Sequence, residues 1–151
     1  MIVDKAIFPL IKKEPNKYLD LLSKWIKKDN PYLCLSIQKL LIKLIHRDAE
    51  LIKPVFHKLE SSWLYATSNM IKLNYNILKE IYKFDPDFYL SVYQNYQNTR
   101  NPIFAEILSE AICENNSVIS KMVEHWSHSG NIKLKKIGLH SQKILKKKVK
   151  K

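Results

Sequence analysis

The sequence predicts an all-α protein that forms a single domain over residues 1–151. Only two glycines, Gly130 and Gly138, occur in the chain, which leaves little provision for β-hairpins, bulges or phosphate-binding glycine loops. Apolar residues recur every three or four positions through most of the sequence, the spacing of amphipathic helices. Hydrophobic residues make up 46% of the 151 residues, enough to bury a core without disulfides or metals.

Helix boundaries follow from the apolar spacing and from residues that favour helix starts. Asp48 is expected to cap one helix, and Ser61 or Ser62 to precede the next, because their oxygens accept hydrogen bonds from free N–H groups. Asp85 and Asn101 each stand before a proline, which suits the first helical position. The predicted helices cover residues 4–13, 16–28, 31–47, 49–60, 63–81, 87–97, 102–114, 117–128 and 131–151.

Three junctions between predicted helices share one arrangement, in which an aromatic residue ends a helix and an asparagine five positions later precedes the next. The pairs are Trp25 and Asn30, Tyr96 and Asn101, and Trp126 and Asn131. With a middle copy centred on Leu59, the junctions recur with a period in the thirties, which is typical of helical-hairpin repeats. About three and a half stacked hairpins are therefore predicted, and a non-repetitive helical bundle is the alternative.

The junction residues resemble the HEAT-like repeats of DNA-alkylation-repeat proteins. Those repeats read as an aromatic residue, a short polar turn with asparagine, and an apolar residue followed by paired basic residues. Residues 22–33 and, most closely, residues 123–136 follow this pattern, with Lys135 and Lys136 as the basic pair. The resemblance implies a right-handed α-α superhelix whose concave basic surface holds the DNA backbone. In active members of the family it also implies a glycosylase that excises alkylated bases.

Positive charge is concentrated near the C-terminal end of the chain. Nine of the 26 basic residues fall within residues 133–151, and no acidic residue follows Glu124. On a continuous last helix, basic side chains recur at intervals of three and four residues along one face. This basic stripe consists of Lys133, Lys136, His140, Lys143, Lys147 and Lys150. Because lysine neutralises phosphates as a point charge, the stripe predicts contact with a nucleic-acid backbone rather than with base edges.

A second stripe has the opposite charge. Glu106, Glu110 and Glu114 stand four residues apart and share one face of the helix predicted over 102–114. Because that helix is expected to lie beside the last one, this acidic stripe is expected either to pair with the basic stripe or to remain solvated. The candidate partners are Lys133, Lys136 and Lys143.

Two functions are open on these observations. The first is a non-enzymatic module that binds the nucleic-acid backbone, with DNA as the expected target and DNA repair as the context that the resemblance implies. The second is a scaffold whose concave surface receives an acidic protein partner. A third function, alkyl-base DNA glycosylase, needs an acid among aromatic residues. The candidate positions are Asp85 and Asp87, beside Phe84, Phe88 and Tyr89.

Other side-chain patterns predict less. His125 and His128 are three residues apart beside Glu124, but no third ligand stands near them, and so neither a metal site nor a cofactor is predicted. No catalytic residue is predicted either. A group of tyrosines is predicted to belong to the core or to the seam between hairpins, with base stacking as the alternative. Its members are Tyr82, Tyr89, Tyr93 and Tyr96.

The sequence also predicts a cytoplasmic location. Cys34 and Cys113 are isolated from each other, which suits a reducing environment and predicts neither a disulfide nor a zinc site. No apolar stretch approaches the length of about 18 residues that spans a membrane, and a signal-peptide pattern is absent, so no membrane association is expected. The lysines within residues 146–151 also suit a nuclear-import signal in a eukaryotic source.

Overall fold

The computed structural model describes Lys17, Asp20, Leu22, Lys24, Trp25 and residues 30–149, and this part of the chain is helical without a β-strand. The all-α prediction is therefore confirmed over these residues. The helices are α1 (Pro31–Arg47), α2 (Ile52–Glu60), α3 (Ser68–Phe84), α4 (Pro86–Tyr96), α5 (Pro102–Glu110), α6 (Ser117–Ser127) and α7 (Ile132–Val149). The helix predicted over 4–13 and most of the one predicted over 16–28 lie outside the described residues.

All three junction asparagines cap the helix that follows them. The Oδ1 atom of Asn30 accepts hydrogen bonds from the backbone N–H groups of Tyr32 and Leu33, at 2.9 and 3.0 Å. Asn101 and Asn131 cap α5 and α7 in the same way, with shortest N···O distances of 2.9 and 3.1 Å. These bonds satisfy N–H groups that have no partner inside the helix.

The long helix predicted to start near residue 63 was placed too early, because α3 begins after its own cap, Thr67. The hydroxyls of Ser61 and Ser62 donate to carbonyl oxygens at the end of α2, and so both serines close that helix instead of opening the next. Between them and α3, a short 3₁₀ turn buries Trp63. The indole N–H of Trp63 donates to Oδ1 of Asn74 at 2.9 Å, which fixes the turn against α3.

Helix α5 ends at Glu110, earlier than the predicted end at residue 114. The cause is a contact with α4. The hydroxyl of Tyr89 donates to the carbonyl of Ala111 at 2.6 Å and accepts a hydrogen bond from the backbone N–H of Cys113 at 2.9 Å. A side chain of another helix therefore satisfies backbone groups that would otherwise continue the helix. As a result, Glu114 does not share a helical face with the other two glutamates of the acidic stripe.

Alternate helices pack against each other in chain order. Helix α1 contacts α3, α3 contacts α5, and α5 contacts α7, while α4 contacts α6 in a second row. The rows are joined where α3 meets α4 and where α6 meets α7. One continuous cluster of buried side chains, from Leu22 to Leu145, fills the space between them. The outward faces of α1, α3, α5 and α7 consequently lie along one surface, where a groove forms.

Candidate nucleic-acid interface

The basic stripe lies on the exposed side of α7. Leu134, Ser141 and Leu145 point into the core and hold the helix against α5 and α6. The opposite side carries the stripe residues in the described part of α7, all of them exposed, whereas Lys150 lies outside the described residues. The exposed stripe residues are Lys133, Lys136, His140, Lys143 and Lys147. The structure therefore brings together five of the six residues that the sequence placed on this face.

The lysines of the stripe are not neutralised by the acidic stripe. The carboxylate of Glu110 instead pairs with His140, with 2.8 Å between Oε1 and Nε2. Across residues 30–149, no acidic side chain forms an ion pair with a stripe lysine. The amines of these lysines thus remain available to an anionic ligand.

An open groove of about 670 Å³ runs across the outward faces of α1, α3, α5 and α7. Its basic lining comes from both sides. Helix α3 supplies Lys79 and Lys83, and α7 supplies Lys147 and Lys148. The apolar lining consists of Ile42, Tyr82, Ile112 and Ile144. Because His140 and Lys147 belong both to this groove and to the basic stripe, the two surfaces are continuous.

The two carboxylates of the groove are each held by a histidine from a neighbouring helix. Glu110 on α5 pairs with His140 on α7, and Glu80 on α3 accepts from His46 on α1 at 3.1 Å. Lys83 adds a second bond to Glu80, also at 3.1 Å. Burial would raise the pKa of Glu80, but the hydrogen bonds from His46 and Lys83 outweigh it, and the pKa lies below its usual value of 4.5.

The lowered pKa of Glu80 predicts a pH-dependent contribution to stability. Since the ionised carboxylate is favoured in the fold, its contribution is complete above pH 4.5 and is lost as the pH falls through the folded-state pKa. We expect Glu80→Gln to unfold at lower urea concentration than the wild type at pH 7. The difference should shrink as the pH is lowered below 4.5. A difference that stays constant over this range would show that the charge of Glu80 contributes nothing.

Lysines from both sides of the groove act on one half-buried thiol, that of Cys113. Burial raises the pKa of Cys113, while the hydrogen bond with Tyr89 and the charges of Lys148, Lys79 and Lys83 act in the opposite direction. The thiol itself donates to the carbonyl of Ala111 at 3.4 Å. The charges of α3 and α7 therefore both act on Cys113, which lines the groove.

Most of the residues considered for a glycosylase site have structural roles. Asp85 caps α4, and its Oδ1 accepts from the backbone N–H of Phe88 at 3.1 Å. Tyr89 is fully buried, and the ring of Phe84 packs on that of His46 with 4.6 Å between centroids. Asp87 is exposed in the first turn of α4. None of these five side chains lines the groove, so this part of the described structure does not supply an acid among groove aromatics.

The tyrosine cluster is mainly a core feature. Tyr89 and Tyr93 are both 0% exposed, and burial raises the pKa of each well above its usual value. The hydroxyl of Tyr93 donates to the carbonyl of Leu108 at 2.5 Å. Tyr96 donates to a carboxylate oxygen of α2 instead. The core interpretation is confirmed for Tyr89 and Tyr93, whereas Tyr82 is half-buried and lines the groove.

His125 on α6 and His128, the residue that follows this helix, are both exposed. With Lys121 and Glu124 they line a shallow pocket of about 430 Å³. Among residues 30–149 and the few described before them, no three or more His, Cys, Asp or Glu side chains are grouped as metal ligands. The described helices also include none with the length and hydrophobicity needed to cross a membrane.

The sequence did not indicate the lysines of α3 as part of the site. Lys79 and Lys83 stand four residues apart, a spacing that puts them on one face of a helix. That signal was present in the sequence. The missing information was that this face of α3 lies opposite α7 across a groove, which depends on the packing of both helices against α5.

No protein-family model, no curated protein and no solved structure matches this chain.

Proposed function

We propose that this chain is a non-enzymatic helical-repeat module that binds the backbone of nucleic acid, with DNA as the expected target. The observation that carries the proposal is the set of exposed stripe lysines on α7, which no described acidic side chain neutralises. A localised positive field attracts a polyanion, and phosphate contacts supply most of the affinity of sequence-independent nucleic-acid binding.

The length of the stripe suits a phosphate backbone. From Lys133 to Lys147 the helix rises about 21 Å at 1.5 Å per residue. One strand of a duplex has a phosphate for about every 3.4 Å of helix axis, so this length contains roughly six phosphates of one strand. Because the strand winds around the axis, a straight stripe faces only some of them. Lysine binds phosphate without a fixed geometry. The stripe consequently positions a backbone without reading its sequence.

The proposal includes a right-handed α-α superhelix of about three and a half HEAT-like hairpins. Two observations support it. Alternate helices pack in chain order, and asparagines cap the helices after corresponding junctions at Asn30, Asn101 and Asn131. In such a superhelix, the row formed by α1, α3, α5 and α7 is the inner surface. The relationship to DNA-alkylation-repeat proteins, and with it a role in DNA repair, remains part of this proposal.

An acidic protein partner is the second candidate. It is favoured by Ile132 and Leu139, which are 73% and 46% exposed on α7 beside the lysines. An acidic amphipathic helix would bury these two side chains while its carboxylates meet the lysines. A nucleic-acid backbone would contact the lysines and leave Ile132 and Leu139 exposed.

Binding across a salt series tests the proposal. Fluorescence anisotropy with labelled duplex and single-stranded oligonucleotides is expected to show a logarithm of the binding constant that falls linearly with the logarithm of salt concentration. If each of the four described stripe lysines neutralises one phosphate, the slope of this line is about −3.6 for duplex DNA. Absence of binding at about 50 mM salt, or binding that salt does not weaken, would contradict the proposal.

A further inference from the structure

We propose that the groove between α3 and α7 binds an unpaired base of a single-stranded nucleic acid, whose phosphates are held by lysines on both sides of it. This inference rests on the proposed function and adds to it a preference for single strands over duplexes. It assigns separate tasks to two surfaces, with backbone contact along the basic stripe and base contact in the groove.

The size and lining of the groove suit a base. Its volume of about 670 Å³ lies within the range of roughly 300–1,000 Å³ that is typical of small-molecule sites. Tyr82 and Ile144, both half-buried, together with Ile112 form an apolar surface in its lining. The Tyr82 ring also packs against that of Tyr89, with 4.8 Å between centroids and 66° between planes, which limits its movement. A fixed aromatic ring beside apolar side chains is the kind of surface on which bases stack.

The charges beside this apolar surface match the phosphates that flank a base. Lys79 lies on α3, and Lys147 and Lys148 lie on α7, so amines stand on both sides of the groove. None of the three forms an ion pair with a described carboxylate. The carboxylates of the groove are occupied, because Glu80 is bound by a histidine and a lysine, and Glu110 by a histidine. The groove therefore presents available positive charge.

A strand fits this arrangement better than a free nucleotide or a duplex. The groove is open and continues into the basic stripe through His140 and Lys147. A strand whose phosphates lie on the stripe thus reaches the groove without leaving α7. Bases of a duplex are stacked and paired, and so inserting one into a groove requires that it be unstacked and unpaired. This energetic cost is smaller for a base that is already single-stranded.

The experiment compares two single strands that have the same length and charge, a thymidine strand and an abasic strand. Stacking of one base predicts that the thymidine strand binds about tenfold more tightly. Tyr82→Leu is expected to remove this difference and to leave the affinity for the abasic strand unchanged. The matched control is Tyr75→Leu, because Tyr75 is another half-buried tyrosine of α3 that does not line the groove. The centroid of its ring lies 5.4 Å from the amine of Lys79, so this variant is judged by its preference between the two strands and not by its absolute affinity. It should retain the tenfold preference.

A second measurement uses the unsubstituted protein, since Tyr82 also packs against the core. A strand that carries 4-thiothymidine is crosslinked by near-ultraviolet light, and the modified peptide is identified by mass spectrometry. Crosslinks to peptides that contain Tyr82 or Cys113 support the inference. Equal affinity for both strands, or crosslinks confined to peptides outside the groove, would overturn it.

These outcomes are separate from those for the proposed function. If the protein binds duplex and abasic strands with steep salt dependence but shows no base preference, the groove assignment fails and backbone binding stands. If it binds none of the oligonucleotides, the proposed function itself fails. A glutamate-rich peptide that displaces the thymidine strand at lower concentration than unlabelled strand does would overturn the inference in favour of an acidic protein partner.

Discussion

Replacing Gly138 with alanine is expected to lower the free energy of unfolding by about 2 kcal/mol, the net of an overpacking cost near the upper end of its usual range and a gain in helix propensity. Helices α6 and α7 cross at this glycine. A Cβ atom there would lie 2.4 Å from the backbone nitrogen of Ser127 and 2.7 Å from the carbonyl carbon of Trp126. Both are backbone atoms, and the clash is relieved only if one helix moves. Such movement would also disturb the hydrogen bond from Gln142 to Ser127, at 2.9 Å.

Gly130→Ala is the matched control. No other atom lies within 4 Å of a Cβ atom built at this position, and the backbone is outside the left-handed region that favours glycine. Alanine there should leave the free energy of unfolding unchanged or raise it by roughly 0.4–1 kcal/mol, because alanine lowers the conformational entropy of the unfolded chain. Urea denaturation of both variants measures the difference. If Gly138→Ala is as stable as the wild type, α6 and α7 do not cross at this point in solution.

Reversing the charge of the basic stripe is expected to weaken nucleic-acid binding by about a hundredfold or more. The variant carries four substitutions, Lys133→Glu, Lys136→Glu, Lys143→Glu and Lys147→Glu. Each removes one phosphate contact and adds a repulsive charge on the same face. Since all four side chains are exposed, the fold should be little affected. Anisotropy measurements at constant salt give the loss of affinity.

The control for this variant reverses four exposed lysines that lie off the stripe, on α2, α6 and the other sides of α7. These are Lys53, Lys121, Lys135 and Lys146. Both variants undergo the same change in net charge, and so only the position of the charge distinguishes them. We expect a small loss of affinity in the control variant. Equal losses in the two variants would mean that net charge, and not the stripe, attracts the ligand.

Several helix ends could be read from the sequence because a local signal sets them. Helix α1 spans Pro31–Arg47 as predicted, since Asn30 provides the cap and proline the first turn. The start of α3 was wrong because a serine hydroxyl accepts from a following N–H or donates to a preceding carbonyl. Both Ser61 and Ser62 donate backwards. The predicted end of α5 was wrong because the hydroxyl of Tyr89, on another helix, bonds to the carbonyl of Ala111, directly after Glu110.

The candidate site likewise has one part that local sequence patterns predict and another part that depends on helix packing. The basic stripe follows from the spacing of lysines on one continuous helix, which is local information, and the structure shows its described members exposed. The groove depends on the position of Lys79 and Tyr82 opposite Lys148. Those residues belong to helices that are far apart in the sequence, and no pattern within either helix indicates the other. The pairing of Glu110 with His140, rather than with a lysine, also depends on side-chain positions across two helices.

Lysine footprinting tests backbone binding by the stripe most directly. The protein is treated with an amine-acetylating reagent, alone and bound to a single-stranded or duplex oligonucleotide, and the modification of every lysine is measured by mass spectrometry. We predict that bound nucleic acid protects Lys133, Lys136, Lys143 and Lys147, while Lys53, Lys121, Lys135 and Lys146 react as in the free protein. Uniform protection of both sets, or protection of the second set alone, would contradict the assignment of the basic stripe as the nucleic-acid interface.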